Sequence, residues 1–140
     1  MLTYKRVLVA LVLAALLGAA AACAASGRTF ALTLRGSDAI PHGDHNDGAK
    51  AVVTIDSGRR TICWTFSGYG GIGHPERAKI GKAPKGKNGP IVVTLSRPFL
   101  PKGCTTVPAR TLTAILKRPA AYYIVITNLT HKAGAARAQF

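Results

Sequence analysis

The chain is short of negative charge. Five Asp and Glu stand against 19 Lys and Arg among 140 residues, for a formal net charge of +14. With so few acids, no carboxylate pair stands out for general acid–base work, and two of the five share one turn-like stretch at Asp44 and Asp47. No Ser/His/Asp order suggests a hydrolase either. Cysteine is nearly as scarce, at three residues. None lies in a Cys-x-x-Cys pair or beside a histidine, so neither a redox dithiol nor a thiolate metal site is legible. Between Arg77 and Lys87 there is no aromatic residue, which removes the stacking platform of a base-binding site and argues against nucleic acid as a partner. The spacing Gly81-x4-Gly86-Lys87 runs into Asn88 rather than Ser or Thr, with no helix after it, so it is not a phosphate-binding P-loop.

Basic charge and an apolar amino terminus are what the chain does have. Lys5 and Arg6 precede an uncharged apolar run from Val7 to about Ala22, and Ala20-Ala21-Ala22 and Ala22-Cys23-Ala24 both offer small-residue cleavage sites. We expect residues 1–25 to be a signal peptide, or a lipoprotein signal ending at residue 22 that leaves Cys23 as the lipidation candidate. Residues 26–140 then form one domain, secreted or held in the cell envelope. The alternative is a membrane-anchored chain, through a lipidated Cys23 or an uncleaved N-terminal segment. Without Lys5 and Arg6, 17 basic residues still exceed the five acids by 12. Such a balance favours anionic envelope polymers or an acidic lipid surface as partner. If Cys23 belongs to the export signal, Cys63 and Cys104 remain, and in an oxidising compartment a disulfide between them is the default.

Patterning along the domain is that of short strands. Thr29–Gly36 alternates cleanly, and Ala49–Asp56 reads as a second strand. Arg59–Ser67 sets Ile62, Trp64 and Phe66 on one face, with Trp64 in or beside the core. Ile91–Leu95, Ala121–Thr127 and Ala133–Phe140 complete the strand-like runs. Pro108–Lys117 reads as a helix with Leu112, Ile115 and Leu116 on one side, stopped by Pro119. Ser37–Gly48, Gly68–Glu76 and Ser96–Thr106 read as loops. In the first of these, Asp44, Asp47, His42 and His45 are the right donors for a cation, but their spacing fits no metal motif. We read it as a hairpin loop whose Asp and Asn side chains bond their own backbone. The four histidines His42, His45, His74 and His131 fall on at least three loops, so no metal, no cofactor and no catalytic residue is expected. The expected fold is an all-β Greek-key sandwich of about seven or eight strands with one short helix. Arg77, Lys79, Lys82, Lys85 and Lys87, on a glycine-rich loop leading into Ile91–Leu95, are the candidate anion-binding residues.

Two stretches carry a family resemblance. The first is Ala78, Ile80, Gly86, Asn88-Gly89-Pro90 and the strand Ile91–Leu95. The second is Pro119, Tyr122-Tyr123-Ile124-Val125-Ile126-Thr127 and Gly134 through Arg137-Ala138-Gln139-Phe140. In order and spacing they resemble the CHRD domain, first described in the chordin proteins, and the resemblance spans about Thr29 to Phe140. Cys63 and Cys104 stand where bacterial members often carry cysteines. The resemblance implies a sandwich of the Cu/Zn superoxide dismutase type and an exported, non-catalytic binding or structural module. Three family histidines fall here on Lys79, Gly81 and Thr127. The alternative function, a degenerate dismutase-like metal-binding oxidoreductase, would therefore lack its imidazoles, and the Lys79 ammonium would repel a cation.

Overall fold

Side-chain alternation accounts for the first three strands. In Gly27–Arg35 (β1), Phe30 and Leu34 are buried. In Gly48–Asp56 (β2) Ala49, Ala51, Val53 and Ile55 are buried, and in Thr61–Ser67 (β3) Ile62, Trp64 and Phe66. β1 and β2 pair along their whole length, from Gly27 opposite Asp56 to Arg35 opposite Gly48. The computed structural model describes residues 27–140; the targeting segment and the Cys23 lipidation site read from the sequence lie outside the described residues.

The remaining strands are Pro75–Lys82 (β4), Ile91–Ser96 (β5), Lys102–Thr106 (β6), Tyr122–Asn128 (β7) and Ala136–Gln139 (β8), with one helix, Ala109–Lys117 (α1), between β6 and β7. All ladders are antiparallel. They join in the order β5-β4-β7-β8-β1-β2-β3-β6. Neighbours distant in sequence, such as β4 beside β7 and β3 beside β6, give the Greek-key crossovers. The edge strands β5 and β6 come close to one another, so the sheet wraps almost onto itself around a single apolar core. Leu112 and Ile115 of α1 are fully buried against that core. The architecture is the all-β one expected. No helix among the described residues is long and apolar enough to cross a membrane.

Three local readings need correction. Arg77–Lys87 is not one flexible basic loop, because Arg77, Lys79 and Lys82 lie on β4. Ala78 and Ile80 are wholly buried, and β4 is paired on both sides, with β5 and β7. Two ladders and two buried apolar side chains outweigh the glycine and lysine content. Ser96–Thr106 contains β6, an edge strand with half-exposed or exposed residues and hence no apolar alternation. It is held by pairing with β3 and by the Cys63–Cys104 disulfide, whose Cα atoms are 4.0 Å apart. Gly68–Glu76 includes a short 3-10 turn at Tyr69–Gly71, and Pro75 and Glu76 already belong to β4. Trp64 is buried, and its indole N–H donates to the Leu100 carbonyl at 2.9 Å, as a core tryptophan requires.

Candidate functional site

The outer face of β4, β7 and β8 carries the polar chemistry. On β7 the inward residues Tyr122, Ile124 and Ile126 are buried in the core, but the outward residues Tyr123, Val125 and Thr127 are buried as well. Tyr123 and Val125 are covered by the segment after β4, while Thr127 lies beside Arg77 at the other end of the strand. Ala83 packs on Tyr123 and Val125, and residues 83–90 fold back over the sheet. The turn from Pro84 to Lys87 closes through the Lys87 N–H to the Pro84 carbonyl, with Gly86 at φ +85°. That is the third position of a type II turn, where only glycine is unstrained.

Arg137 pins this cover. Its guanidinium lies 3.8 Å from the centre of the Tyr123 ring. Nη1 donates to the Lys87 carbonyl at 2.7 Å and to Asn88 Oδ1 at 3.3 Å, and Nη2 donates to the Pro84 carbonyl at 3.2 Å and to Gln139 Oε1 at 3.1 Å. The Gln139 amide then donates to the carbonyls of Ala83 and Ala120. The Tyr123 hydroxyl donates to the Gly89 carbonyl and accepts from the Gly89 N–H. Burial lowers the Arg137 pKa, while Tyr123 and Asp38 act in the opposite direction. A guanidinium tolerates such burial because its donors are fixed in a planar fork that several carbonyls can satisfy. The Asn88-Gly89-Pro90 and Arg137-Ala138-Gln139 motifs, about fifty residues apart, are thus two halves of one hydrogen-bonded clamp. In the sequence Arg137 and Gln139 are legible as part of the strand-like run Ala133–Phe140, with no role of their own. Their partners are mostly backbone carbonyls, which leave no trace in a sequence.

Register lines up the charges. Lys79 sits opposite Val125, Val125 opposite Arg137, and Arg137 opposite Arg35, in one row across β4, β7, β8 and β1. A basic recess lies toward each end. At the Lys79 end a cavity of about 180 Å³ is lined by Glu76, Arg77, Lys79, Thr127, Leu129 and Lys132. It adjoins a wider depression of about 570 Å³, which shares Glu76, Arg77 and Leu129 and adds His74, Arg97 and Pro98. At the Arg35 end, a cavity of about 270 Å³ brings Arg35, Lys85 and Arg137 together with Asp38. Desolvation by burial, and secondarily the charge of Arg77, hold the Lys79 amine below its ordinary pKa.

The five candidate cations are therefore divided. Arg77 and Lys79 share one recess, and Lys85 belongs to the other. Lys82 is exposed, with its ammonium 6.0 Å from the Tyr122 ring centre, and Lys87 is exposed on the turn. Lys132 and Arg97 join Arg77 and Lys79 only through the fold. Of the positions where the family histidines fall, Lys79 and Thr127 line the same recess, while Gly81 packs against Tyr123. A Cβ at residue 81 would overlap the Tyr123 ring, so an imidazole there would displace the clamp.

No curated protein and no solved structure matched the sequence in comparisons with known proteins. The family model described as the CHRD domain matches residues 30–140. The match covers the whole sheet from Phe30 onward, with the clamp and both recesses inside it, and the chain belongs to the CHRD-domain family.

Proposed function

We propose that this chain is an exported, non-catalytic binding module of the cell envelope or extracellular space, and that its ligand is anionic. The partner is an envelope polymer or an acidic lipid surface that meets the recess of Arg77, Lys79 and Lys132. The observation that carries this reading is the lining of that recess, three cations around Thr127 and one acid, Glu76. The dismutase-type alternative needs convergent imidazoles, and Lys79, Gly81 and Thr127 supply none. Extended polyanions suit an open recess continuous with a wider basic depression, because their charges repeat along a chain and need no enclosed pocket.

Binding of the purified chain to immobilised polyphosphate and to vesicles containing anionic lipid tests the reading and separates the two sources. Replacing Arg77, Lys79 and Lys132 with Gln should weaken retention much more than replacing the exposed Lys50, Lys102 and Arg110. Equal losses would show that the recess is no site.

A further inference from the structure

A second cluster uses the same β7–β8 loop that gives Leu129 and Lys132 to the basic recess, but different residues. The loop between β1 and β2 and the loop between β7 and β8 bring together Asp44, Asp47 and His131, with one ligand atom of each within 4.8 Å of the others. In the sequence Asp44 and Asp47 lie three positions apart but His131 is at least 84 positions from either, so no metal set is legible there. His42 and His45, the nearer histidines in sequence, are exposed. In a chain with five acids, two of them meet at one imidazole.

The imidazole geometry is what asks for a ligand. His131 Nδ1 is buried and has no hydrogen-bond partner among the described residues. It faces Asp47 Oδ2 at 3.6 Å, and Nε2 faces Asp44 Oδ1 at 3.9 Å. The Asp47 side chain is 2% exposed, that of His131 17% and that of Asp44 74%. An N–H···O bond from nitrogen to oxygen would be about 2.7–3.2 Å. At 3.6 Å the buried nitrogen and the buried carboxylate are too far apart to share a proton well. Two ligands of one tetrahedral zinc ion, each ~2.0–2.1 Å from it, stand about 3.3 Å apart. Nδ1 and Asp47 Oδ2 already stand near that spacing, while Asp44, on the Nε2 side and 74% exposed, is free to rotate across to the ion.

We infer that Asp44, Asp47 and His131 form a divalent transition-metal site of the zinc type. His131 Nδ1 and Asp47 Oδ2 are the buried protein ligands, the exposed Asp44 carboxylate swings from the Nε2 side of the ring to supply a third, and water completes the shell. One imidazole with two carboxylates is a borderline donor set, which favours zinc over calcium or magnesium, whose shells are built from oxygen. Hydrogen bonds fix the two loops: the Asp44 N–H donates to Asp47 Oδ2, the Gly36 N–H to the Asp47 carbonyl, and the His131 N–H to Asn128 Oδ1. The ion ties two loops at the β1–β8 seam, and this site shares no residue with the anion recess.

Titration of the metal-free, untagged full chain with Zn²⁺ alone, followed by calorimetry and by thermal unfolding, tests the inference. One saturable equivalent per chain is expected, with a rise in the melting midpoint. Outer-shell changes alone typically cost 10–100-fold in metal affinity, so Asp44→Asn and His131→Asn should each cost at least about tenfold. His45→Asn, on the same loop, should leave the affinity unchanged. Asp44 is exposed enough that its replacement leaves the fold intact, and an unchanged melting midpoint of the Zn²⁺-free Asp44→Asn chain checks this. Absence of saturable binding, or equal loss in the His45→Asn chain, would overturn the assignment.

Discussion

Arg137 shows how one side chain can hold a surface in place. It is 2% exposed, stacks on Tyr123 and satisfies four acceptors from two different segments. Removing a charged donor from such a place breaks several bonds at once, and although the Pro84 carbonyl keeps the Lys87 N–H, the Lys87 carbonyl and the Asn88 and Gln139 amide oxygens lose the guanidinium. We expect Arg137→Met, which keeps the bulk, to destabilise the domain by on the order of 3 kcal/mol in urea unfolding. Arg137→Lys should recover little of this, since one ammonium cannot reach the acceptors that the planar fork spans. Its exposed neighbour Arg35 is the control, and Arg35→Ala should change stability by no more than about 0.5 kcal/mol. A loss at Arg137 no larger than at Arg35 would show that the cover stays on the sheet without the clamp.

Among the elements, legibility followed burial pattern. β1, β2 and β3 alternate because one face meets the core and the other meets water, and their limits could be read within two or three residues. β7 was legible as a strand over Ala121–Thr127, but not as one buried on both faces, since the cover on Tyr123 and Val125 comes from the segment after β4. β4 was hidden because its outward residues are lysine, arginine and glycine, and β6 because an edge strand need bury nothing. The recess escaped for a related reason: Lys132 and Arg97 reach Arg77 only across the fold. The disulfide belongs to this scale, because it fastens the edge strand β6 to β3. A bridge closing a loop of 41 residues stabilises by about 3–4 kcal/mol in the chain-entropy model. Reduction should therefore lower the urea midpoint, and hydrogen exchange should quicken first at the amides of Lys102–Thr106. The amides of Tyr122–Asn128, at the centre of the sheet, should keep their protection until global unfolding. Simultaneous loss of protection in both strands would mean that β6 is no separate unit.

For the molecule as a whole, charge is the quantity that couples stability to binding. In the domain, the 17 basic residues beyond Lys5 and Arg6 repel one another against only five acids. Simple salt screens that repulsion over a Debye length that shrinks to about 8 Å at physiological strength. Sodium chloride should therefore raise the melting midpoint modestly and then level off. A polyanion acts differently, because it stabilises by mass action through the folded state it binds, and the gain grows with its concentration over its dissociation constant. At equal ionic strength, polyphosphate should raise the midpoint further than chloride does. Added salt should then erode the polyphosphate increment, since it weakens the attraction that produces it, while leaving the chloride increment in place. The two responses to salt have opposite signs, so a melting series over salt, with and without polyphosphate, resolves them in one experiment. A polyphosphate increment that survives high salt would point to contacts other than charge. An increment that never exceeds the chloride effect would leave only screening, with no bound polyanion behind it.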